Sequence, residues 1–261
     1  MPRLSAHGHY YNLRRDTKDR RDHVYQVPYR YKLDSLPERV DYRDAMPEVW
    51  DQGAAGSCAG QAQAAMIQHQ RKKLNHVDFT PSRLFMYYNA RRERGWENED
   101  SGCTLRDMQK ASCEVGAPPE MLWSYYVGAV TAKPSPAAYI EALNWQVLSY
   151  TRVNQTLAQM LPCLTHIGPF VAGLQIYESF ESTETRETGI VKIPKRGWWR
   201  GEKKLGGHAV CIVGFDRDAE MFILRNSWGV DWGKKGYAEI PFDYLLDSAL
   251  AMDFWVVKTV E

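Results

Sequence analysis

The sequence predicts an α+β protein in which a mainly helical half precedes a strand-rich half. Segments with helix-start signals cluster between about residues 58 and 115. Short apolar runs rich in Val, Ile, Phe and Tyr occur from about residue 146 onward. Because the helices are segregated from the strands along the chain, we expect two lobes, one helical and one β-rich.

Three helices are expected in the first half. The first covers 58–74, which is rich in alanine and becomes basic near its C-terminal end. The second covers 80–92, with a proline suited to the first helical turn. The third runs from about Thr104 to Val115 and ends at the Gly-Ala-Pro-Pro that follows.

The second half alternates short apolar runs with turn residues. One helix is expected near 155–164, and a Pro-Ser-Pro stretch at 134–136 marks the boundary between the halves. The expected strands are 146–153, 170–177, 190–193, 209–214, 221–226 and 237–241.

Composition limits the classes of function. The chain has 261 residues, 44% of them hydrophobic and 25% charged, with a net charge of +1, so its charge gives no argument for binding nucleic acid or an anionic membrane. No apolar run approaches the roughly 20 residues that span a bilayer, and the N-terminus lacks the apolar core of a signal peptide. We expect a cytoplasmic protein, or one exported without a recognisable signal.

Cysteine usage argues against a structural disulfide framework. The five cysteines are an odd number and include no Cys-x-x-Cys pair, which also disfavours a zinc-ribbon site. One cysteine is left unpaired in any pairing scheme. We expect no metal and no cofactor.

Residues 1–35 differ from the rest of the chain and are called the arm here. Residues 1–34 carry eight basic and four acidic side chains with little aliphatic content, so the arm cannot form a core alone. It should either be a solvated tail or lie on the main body as a strap. The globular part begins near Leu36.

Cys58 follows a Gly-Ser turn and begins the first expected helix. The unpaired backbone amides of a helix N-terminus favour a thiolate there. Gln52, six residues upstream, carries an amide of the kind that stabilises an oxyanion. The alternative is a buried cysteine that packs as a small hydrophobe.

Two motifs in the β-rich half favour the catalytic interpretation. His208 begins an apolar strand, so its ring can project from a sheet edge while the next residues are buried. Asn226 ends another strand and can fix the tautomer of His208, leaving the second ring nitrogen for Cys58. Trp228 could screen that hydrogen bond from water.

Four pieces of the sequence together resemble the papain and cathepsin family of cysteine peptidases. They are Gln52, Gly-Ser-Cys at 56–58, Gly-His-Ala at 207–209 and Asn-Ser-Trp-Gly at 226–229. His208 lies 150 residues beyond Cys58 and Asn226 lies 168 beyond it, near the family spacing of about 130–150. The resemblance implies a papain-like fold, with the active site in a cleft between a helical lobe, 36–140, and a β-barrel-like lobe, 141–261.

The resemblance also implies roles for individual residues. Cys58 would be the nucleophile, His208 the general acid and base, and Asn226 the residue that orients it. Gln52 and the Cys58 amide would form the oxyanion hole. The expected substrate-binding residues are Ser101, Gly102, Cys103, Gly207, Trp228 and Met252.

Several positions depart from the family pattern. Ala55 replaces a disulfide cysteine and Ala59 a bulky aromatic residue, while Gly207 replaces an acidic residue or asparagine. Cys103 replaces a glycine and should narrow access for a substrate backbone. The missing disulfides resemble a divergent bacterial or viral branch.

The resemblance therefore implies a cysteine endopeptidase that forms a thioester acyl-enzyme on peptide or protein substrates. The arm is either a short intramolecular inhibitor or a structural strap, and we expect a monomer. Two alternatives stay open at this point: a related thiol acyl-transfer enzyme (a deamidase, transglutaminase or isopeptidase) and a catalytically silent binding protein.

Overall fold

The structure is a computed structural model that describes residues 5, 8–28, 35–197 and 201–260. The parts of the arm at 1–4, 6–7 and 29–34 lie outside the described residues.

The first half contains three helices close to the expected positions. They are α1, Cys58–Lys73, α2, Arg83–Arg92, and α3, Leu105–Glu114. The hydroxyls of Ser82 and Thr104 cap α2 and α3 by accepting a backbone amide from the first turn. The proline at 81 thus precedes the cap instead of occupying the first turn, which corrects the expected start of α2.

The second half is built on one antiparallel sheet. The strands are β1, Arg39–Asp41, β2, Val147–Val153, β3, Phe170–Tyr177, β4, Lys204–Asp216, β5, Met221–Arg225, β6, Tyr237–Pro241, and β7, Ala251–Val260. Their order in the sheet is β2-β7-β3-β4-β5-β6, and β1 pairs with β4. Four further helices are α4, Pro136–Ala142, α5, Leu157–His166, α6, Thr183–Thr188, and α7, Phe242–Leu246.

Two stretches differ from the sequence expectation, and β1, α6, α7 and β7 are additional to the expected elements. Residues 190–193 form an isolated bridge between Ile190 and Glu239 instead of a strand. The Pro-Ser-Pro stretch is a helix start, because the Ser135 hydroxyl accepts the Ala138 amide and caps α4. Helix α4 spans position 140, so the division of the chain into 36–140 and 141–261 stays a prediction.

Helix α1 connects the two halves of the fold. It packs against β4 and β7, and its residues are buried from Cys58 to Arg71. Small side chains permit this close packing: a side chain at Gly60 would collide with the Arg83 carbonyl of α2. The first residue of α1 is therefore held against the strand that carries His208.

The described part of the arm lies on the body of the protein. Residues Tyr11, Leu13 and Tyr25 are buried, and the arm makes isolated parallel bridges at Asn12, Arg14 and Val24. In the described residues, no helix has the length and apolar character needed to cross a membrane.

Candidate active site

Cys58 is the first residue of α1, and its side chain is 1% exposed. The preceding turn is fixed by a hydrogen bond of 2.6 Å between the hydroxyls of Ser57 and Tyr125. The backbone amides of Cys58 and Ala59 act on the thiol so as to favour its ionised form. This is the helix-start effect expected from the sequence.

His208 and Asn226 form a buried pair. His208 Nε2 lies 2.8 Å from Asn226 Oδ1, and the same oxygen accepts the Ser227 amide at 2.9 Å. An amide oxygen accepts both contacts only if Nε2 carries the imidazole proton. His208 Nδ1 is then the unprotonated nitrogen, and it is buried without a hydrogen-bond partner among the described residues.

The thiol lies beside the strand that carries this pair. The backbone amide of Ala209, the next residue after His208 on β4, is close enough to the Cys58 sulfur to favour the thiolate through a hydrogen bond. The structure therefore places Cys58 of α1 beside the part of β4 that carries His208, and it pairs His208 with Asn226 at the end of β5.

Gln52 is fully buried and linked to the loop that carries Asn226. Its backbone amide donates to the Ser227 carbonyl at 2.9 Å, and its side-chain oxygen accepts the Ser227 hydroxyl at 2.7 Å. Its Nε2 donates to the Ala55 carbonyl at 2.8 Å. An amide nitrogen has two hydrogens, so one N–H remains for another acceptor.

Trp228 covers one side of the histidine. The two rings are 5.0 Å apart at 34°, and Trp228 is itself buried against Phe180 and Trp232. This placement agrees with the expected shielding of the His208–Asn226 hydrogen bond.

The segment 101–103 presents its main chain to the arm. The Cys103 carbonyl accepts the Arg14 amide at 3.0 Å, and the Ser101 carbonyl accepts the Arg14 guanidinium at 3.2 Å. The Cys103 side chain is 1% exposed and packs in the same core cluster as Cys58. Gly102 has φ +71°, a conformation that favours glycine.

The arm crosses the candidate site and covers it. His9 stacks on Trp228 with ring centroids 4.6 Å apart, and the Tyr11 ring meets His208 edge-on at 6.0 Å. The Tyr11 hydroxyl donates to Glu181. Cys58 is close enough to raise the pKa of Tyr11 electrostatically, in addition to the larger effects of burial and Glu181.

Asn12 passes between two glycines on opposite sides of the site. A side chain at Gly56 would overlap the Asn12 amide, and one at Gly102 would overlap the Asn12 carbonyl. The arm thus occupies space that exists because both positions lack a Cβ.

Leu13 fills an apolar site next to Met252. The Leu13 amide donates to the Gly207 carbonyl at 3.1 Å, and its side chain packs against Gly173. Leu13 and Met252 belong to one hydrophobic cluster. Gly207 and Met252, both expected to bind substrate, are therefore in contact with or next to the arm.

Charged groups anchor the arm beyond the site. Asp16 is 8% exposed and pairs with Arg152 at 2.6 Å, and it also accepts the Trp255 indole N–H at 2.9 Å. Asp22 pairs with Arg106 at 2.5 Å and with Arg152 at 3.1 Å. These contacts fix the arm after it leaves the site.

Burial keeps both reactive groups neutral in this arrangement. It raises the pKa of the Cys58 thiol to about 11 and lowers the pKa of the His208 imidazole to about 4. At neutral pH the site beneath the arm therefore holds a thiol and an imidazole rather than an ion pair. An ion pair between the Cys58 thiolate and a protonated His208 would require a more solvated site.

No group of three or more His, Cys, Asp or Glu side chains is arranged to hold a metal ion in the described part of the chain. All five cysteines are free.

Two contributors to the site had no sequence signal: Asp100, in a polar loop, accepts the Gly56 amide, and Glu181 accepts the Tyr11 hydroxyl. Ser227 lies within a recognised motif, but its bond to Gln52 could be found only from the fold.

A thiol at a helix start beside a histidine–asparagine pair is the arrangement of a cysteine peptidase. The family model described as papain family cysteine protease matches residues 36–244, and the chain belongs to this family. The predicted family, fold class and enzyme class are thereby confirmed: the protein is a papain-like cysteine peptidase, a hydrolase.

The relatives include viral and bacterial proteins. An uncharacterised peptidase C1-like protein of Acanthamoeba polyphaga mimivirus is 37% identical over 88% of this chain and 73% of its own length. Xylellain, a cysteine protease from Xylella fastidiosa, has a solved structure with a TM-score of 0.90 at 35% identity, covering 100% of this chain and 99% of that one. Procathepsin L 3 of Tenebrio molitor, with a TM-score of 0.74 at 16% identity, covers 95% of this chain and 76% of that one and shares the fold.

Proposed function

We propose that this cysteine peptidase is an endopeptidase that cleaves peptide bonds through a thioester on Cys58, and that its arm inhibits it by lying in the cleft. The observation that carries the catalytic part is the buried His208 Nδ1, left without a partner while Nε2 is held by Asn226. A histidine fixed in this tautomer is ready to take a proton from Cys58.

The reaction follows from these positions. His208 Nδ1 accepts the thiol proton, and the Cys58 sulfur attacks the peptide carbonyl carbon. The oxyanion accepts hydrogen bonds from the Cys58 amide and from the remaining N–H of Gln52. His208 then protonates the leaving amine, and a water molecule, deprotonated by His208, hydrolyses the thioester and restores the thiol.

The energetics assign most of the activation to His208. Lowering a thiol pKa from about 8.5 to about 4 requires roughly 6 kcal/mol. A helix N-terminus supplies at most about 2 kcal/mol. A protonated imidazole at about 4 Å supplies roughly 4 kcal/mol at an effective dielectric constant of about 20.

The arm supports the inhibitory part of the proposal in two ways. Its residues 9–14 occupy the cleft and use the Gly207 and Cys103 carbonyls, which an extended peptide could use instead. It also covers a thiol and an imidazole whose burial opposes ion-pair formation. Blocked binding and a neutral nucleophile both reduce turnover.

The preferred substrate should carry an apolar side chain where Leu13 now lies. That site is lined by Gly173 and Met252, and Leu13 is buried in it. Burying a leucine side chain contributes about 1.5–3 kcal/mol, which is enough to select it over a polar residue. Peptides with leucine at this position should be cleaved more efficiently than matched peptides with asparagine.

The inhibitory role is tested by loosening the arm in the full-length chain. Asp16→Ala removes the buried partner of Arg152 and Trp255, so turnover of a short peptide should rise by about tenfold or more. Asp19→Ala is the matched control, since Asp19 bonds to Arg21 within the arm. Equal turnover in wild type and Asp16→Ala would contradict inhibition and favour the alternative, in which the arm is a structural strap. Deletion of 1–34 tests the same point, although it also removes buried Tyr11, Leu13 and Tyr25.

The same assay separates hydrolysis from acyl transfer. Incubation with a peptide and an added primary amine should give mainly hydrolysed product if water is the acceptor. A dominant amide product would favour the acyl-transfer alternative. The monomeric state and the cytoplasmic location stay predictions.

A further inference from the structure

Asp100 joins the turn before Cys58 to the segment that faces the arm. Its Oδ2 accepts the Gly56 amide at 2.9 Å, and its Oδ1 accepts the Tyr87 hydroxyl at 2.5 Å. The same hydroxyl accepts the Gly102 amide at 3.0 Å. One carboxylate thus holds two main-chain amides, one directly and one through Tyr87 of α2.

These two amides belong to opposite sides of the groove that Asn12 occupies. Gly56 lies two residues before Cys58, and Gly102 lies next to the carbonyl that accepts the Arg14 amide. The Asn12 side chain in the groove also donates to the Asp100 carbonyl at 3.1 Å. The Asp100 network therefore holds main chain on both sides of the groove beside Cys58.

We propose that Asp100 is a positioning residue: its carboxylate keeps the Cys58 turn and the peptide-binding main chain at 101–103 in fixed register. The inference rests on the proposed peptidase mechanism. A shift of about 1 Å between a bound carbonyl and its nucleophile is enough to lower turnover strongly.

The chemistry of the network requires a carboxylate. Both Asp100 oxygens accept from donors, the Gly56 N–H and the Tyr87 O–H. An asparagine at this position has one acceptor oxygen, so its NH₂ group must face one of these donors. Asp100→Asn is therefore nearly isosteric and still breaks one of the two links.

The charge of Asp100 provides a second readout. The carboxylate raises the pKa of the Cys58 thiol, after the larger effect of burial. Among the described residues, Cys103 before α3 and Tyr11 of the arm interact electrostatically with this sulfur, and His208 precedes Ala209, whose amide acts on it from β4. Removing the negative charge should move thiolate formation to lower pH in Asp100→Asn but not in Tyr87→Phe, which breaks a link of the same network and keeps the charge.

The experiment compares full-length variants with and without Asp16→Ala. Their activities are divided by the amount of reactive Cys58 thiol found by titration. Asp100→Asn should lower kcat/KM by roughly 10- to 100-fold and shift the midpoint of Cys58 alkylation against pH downward. Tyr87→Phe removes the hydroxyl that accepts the Gly102 amide and leaves the bond between Asp100 and the Gly56 amide in place. It should therefore mainly raise KM, because the peptide-binding segment loses its anchor while the Cys58 turn keeps its own. Asp216→Asn, which removes a carboxylate that accepts the Ala219 amide far from the cleft, should match its parent.

The inference is overturned if Asp100→Asn keeps kcat/KM within about twofold of its parent, or if its alkylation midpoint does not move. Alkylation of Cys58 is measured without a peptide substrate. If the parent chain does not cleave peptides, the proposed function is contradicted, but the alkylation midpoint of Asp100→Asn can still be compared with that of its parent. If Asp100→Asn does not fold, an unchanged KM in Tyr87→Phe overturns the inference by itself.

Discussion

The two ring nitrogens of His208 have different surroundings. One ring nitrogen is held by Asn226, whereas Nδ1 is buried without a partner in the described structure. A buried polar atom left in this way costs free energy unless another group uses it. In the proposed mechanism that group is the Cys58 thiol, because Nδ1 must be unoccupied by another donor to accept the thiol proton.

His208→Ala should remove the largest source of thiolate stabilisation. In the Asp16→Ala background, alkylation of Cys58 at pH 7 should become slower by 100-fold or more, because roughly 4 kcal/mol of ion-pair energy is lost. The rate of modification against pH is the measurement. An unchanged rate at pH 7 would show that the helix N-terminus alone activates the thiol.

Gln52→Ala should lower turnover by roughly 10²–10³, the usual loss for one oxyanion-hole donor. The Gln52 side chain also bonds Ser227, so a Tm measurement must accompany the kinetics. Ser227→Ala removes that bond while keeping the glutamine amide and is the matched control. Near-normal turnover of the Gln52 variant with peptide substrates would exclude its assigned role.

The sequence predicted these residues because their motifs carry local chemistry. A Gly-Ser-Cys turn and a Gly-His pair before an apolar run are visible without a fold. The expectation that His208 begins its strand was wrong, because β4 begins at Lys204 and His208 pairs with Leu174 inside it. Asp100 could not be predicted in this way, because its partners Gly56 and Tyr87 are distant in the sequence and meet it only after α1 and α2 pack.

The proposed role of the arm depends on the packing of its side chains against the body of the protein. Leu13 is 7% exposed although it precedes the globular part of the chain. Leu13→Asp would place a charge in the apolar site beside Met252, which costs several kcal/mol. Turnover in the full-length chain should therefore rise by at least about tenfold.

Gln26→Asp introduces the same charge at an exposed position of the arm and should leave turnover unchanged. The comparison is made with a peptide that does not rely on the Leu13 site. Equal rates for Leu13→Asp and Gln26→Asp would contradict the proposed inhibition.

Strand β7 illustrates what the sequence could not reveal about the elements. Asp253 interrupts its apolar run and has φ +56°, which is unfavourable for a strand. The fold accommodates Asp253 because its carboxylate accepts the Asp16 amide at 2.8 Å and pairs with Arg152 at 3.2 Å. The docked arm and Arg152 of β2 together explain this residue.

At the scale of the whole molecule, burial of two histidines should make stability depend on pH. Burial lowers the pKa of His208 and of His69 to about 4, below the ordinary value of 6.5. The unfolded chain therefore binds more protons between pH 6.5 and 4, so stability falls as pH falls through that window. The raised pKa of Asp253 acts in the opposite direction.

Thermal unfolding measured between pH 7 and 4 checks this expectation. The Tm should decrease on acidification, and the decrease should be smaller in His208→Gln, which removes one of the two groups. An identical pH dependence in both proteins would mean that His208 is not buried as a neutral imidazole.

The order of a helical half before a β-rich half could be predicted, and the sequence already offered an inhibitory arm or a strap as alternatives, whereas the contacts that dock the arm in the cleft could not be predicted. Local patterns place α1, β3 and β6 close to their observed positions. The docking of residues 9–16 depends on glycines at 56 and 102 and on Arg152, which are separated by many residues and form one surface only in the fold.

The most direct test of the account is covalent labelling of the full-length chain with a peptide epoxide, followed by intact mass. We expect a single adduct on Cys58 that forms faster in Asp16→Ala than in wild type and is absent from Cys58→Ser. Labelling that persists in Cys58→Ser, or proceeds at equal rates with and without Asp16, would contradict a Cys58 nucleophile covered by its own N-terminal arm.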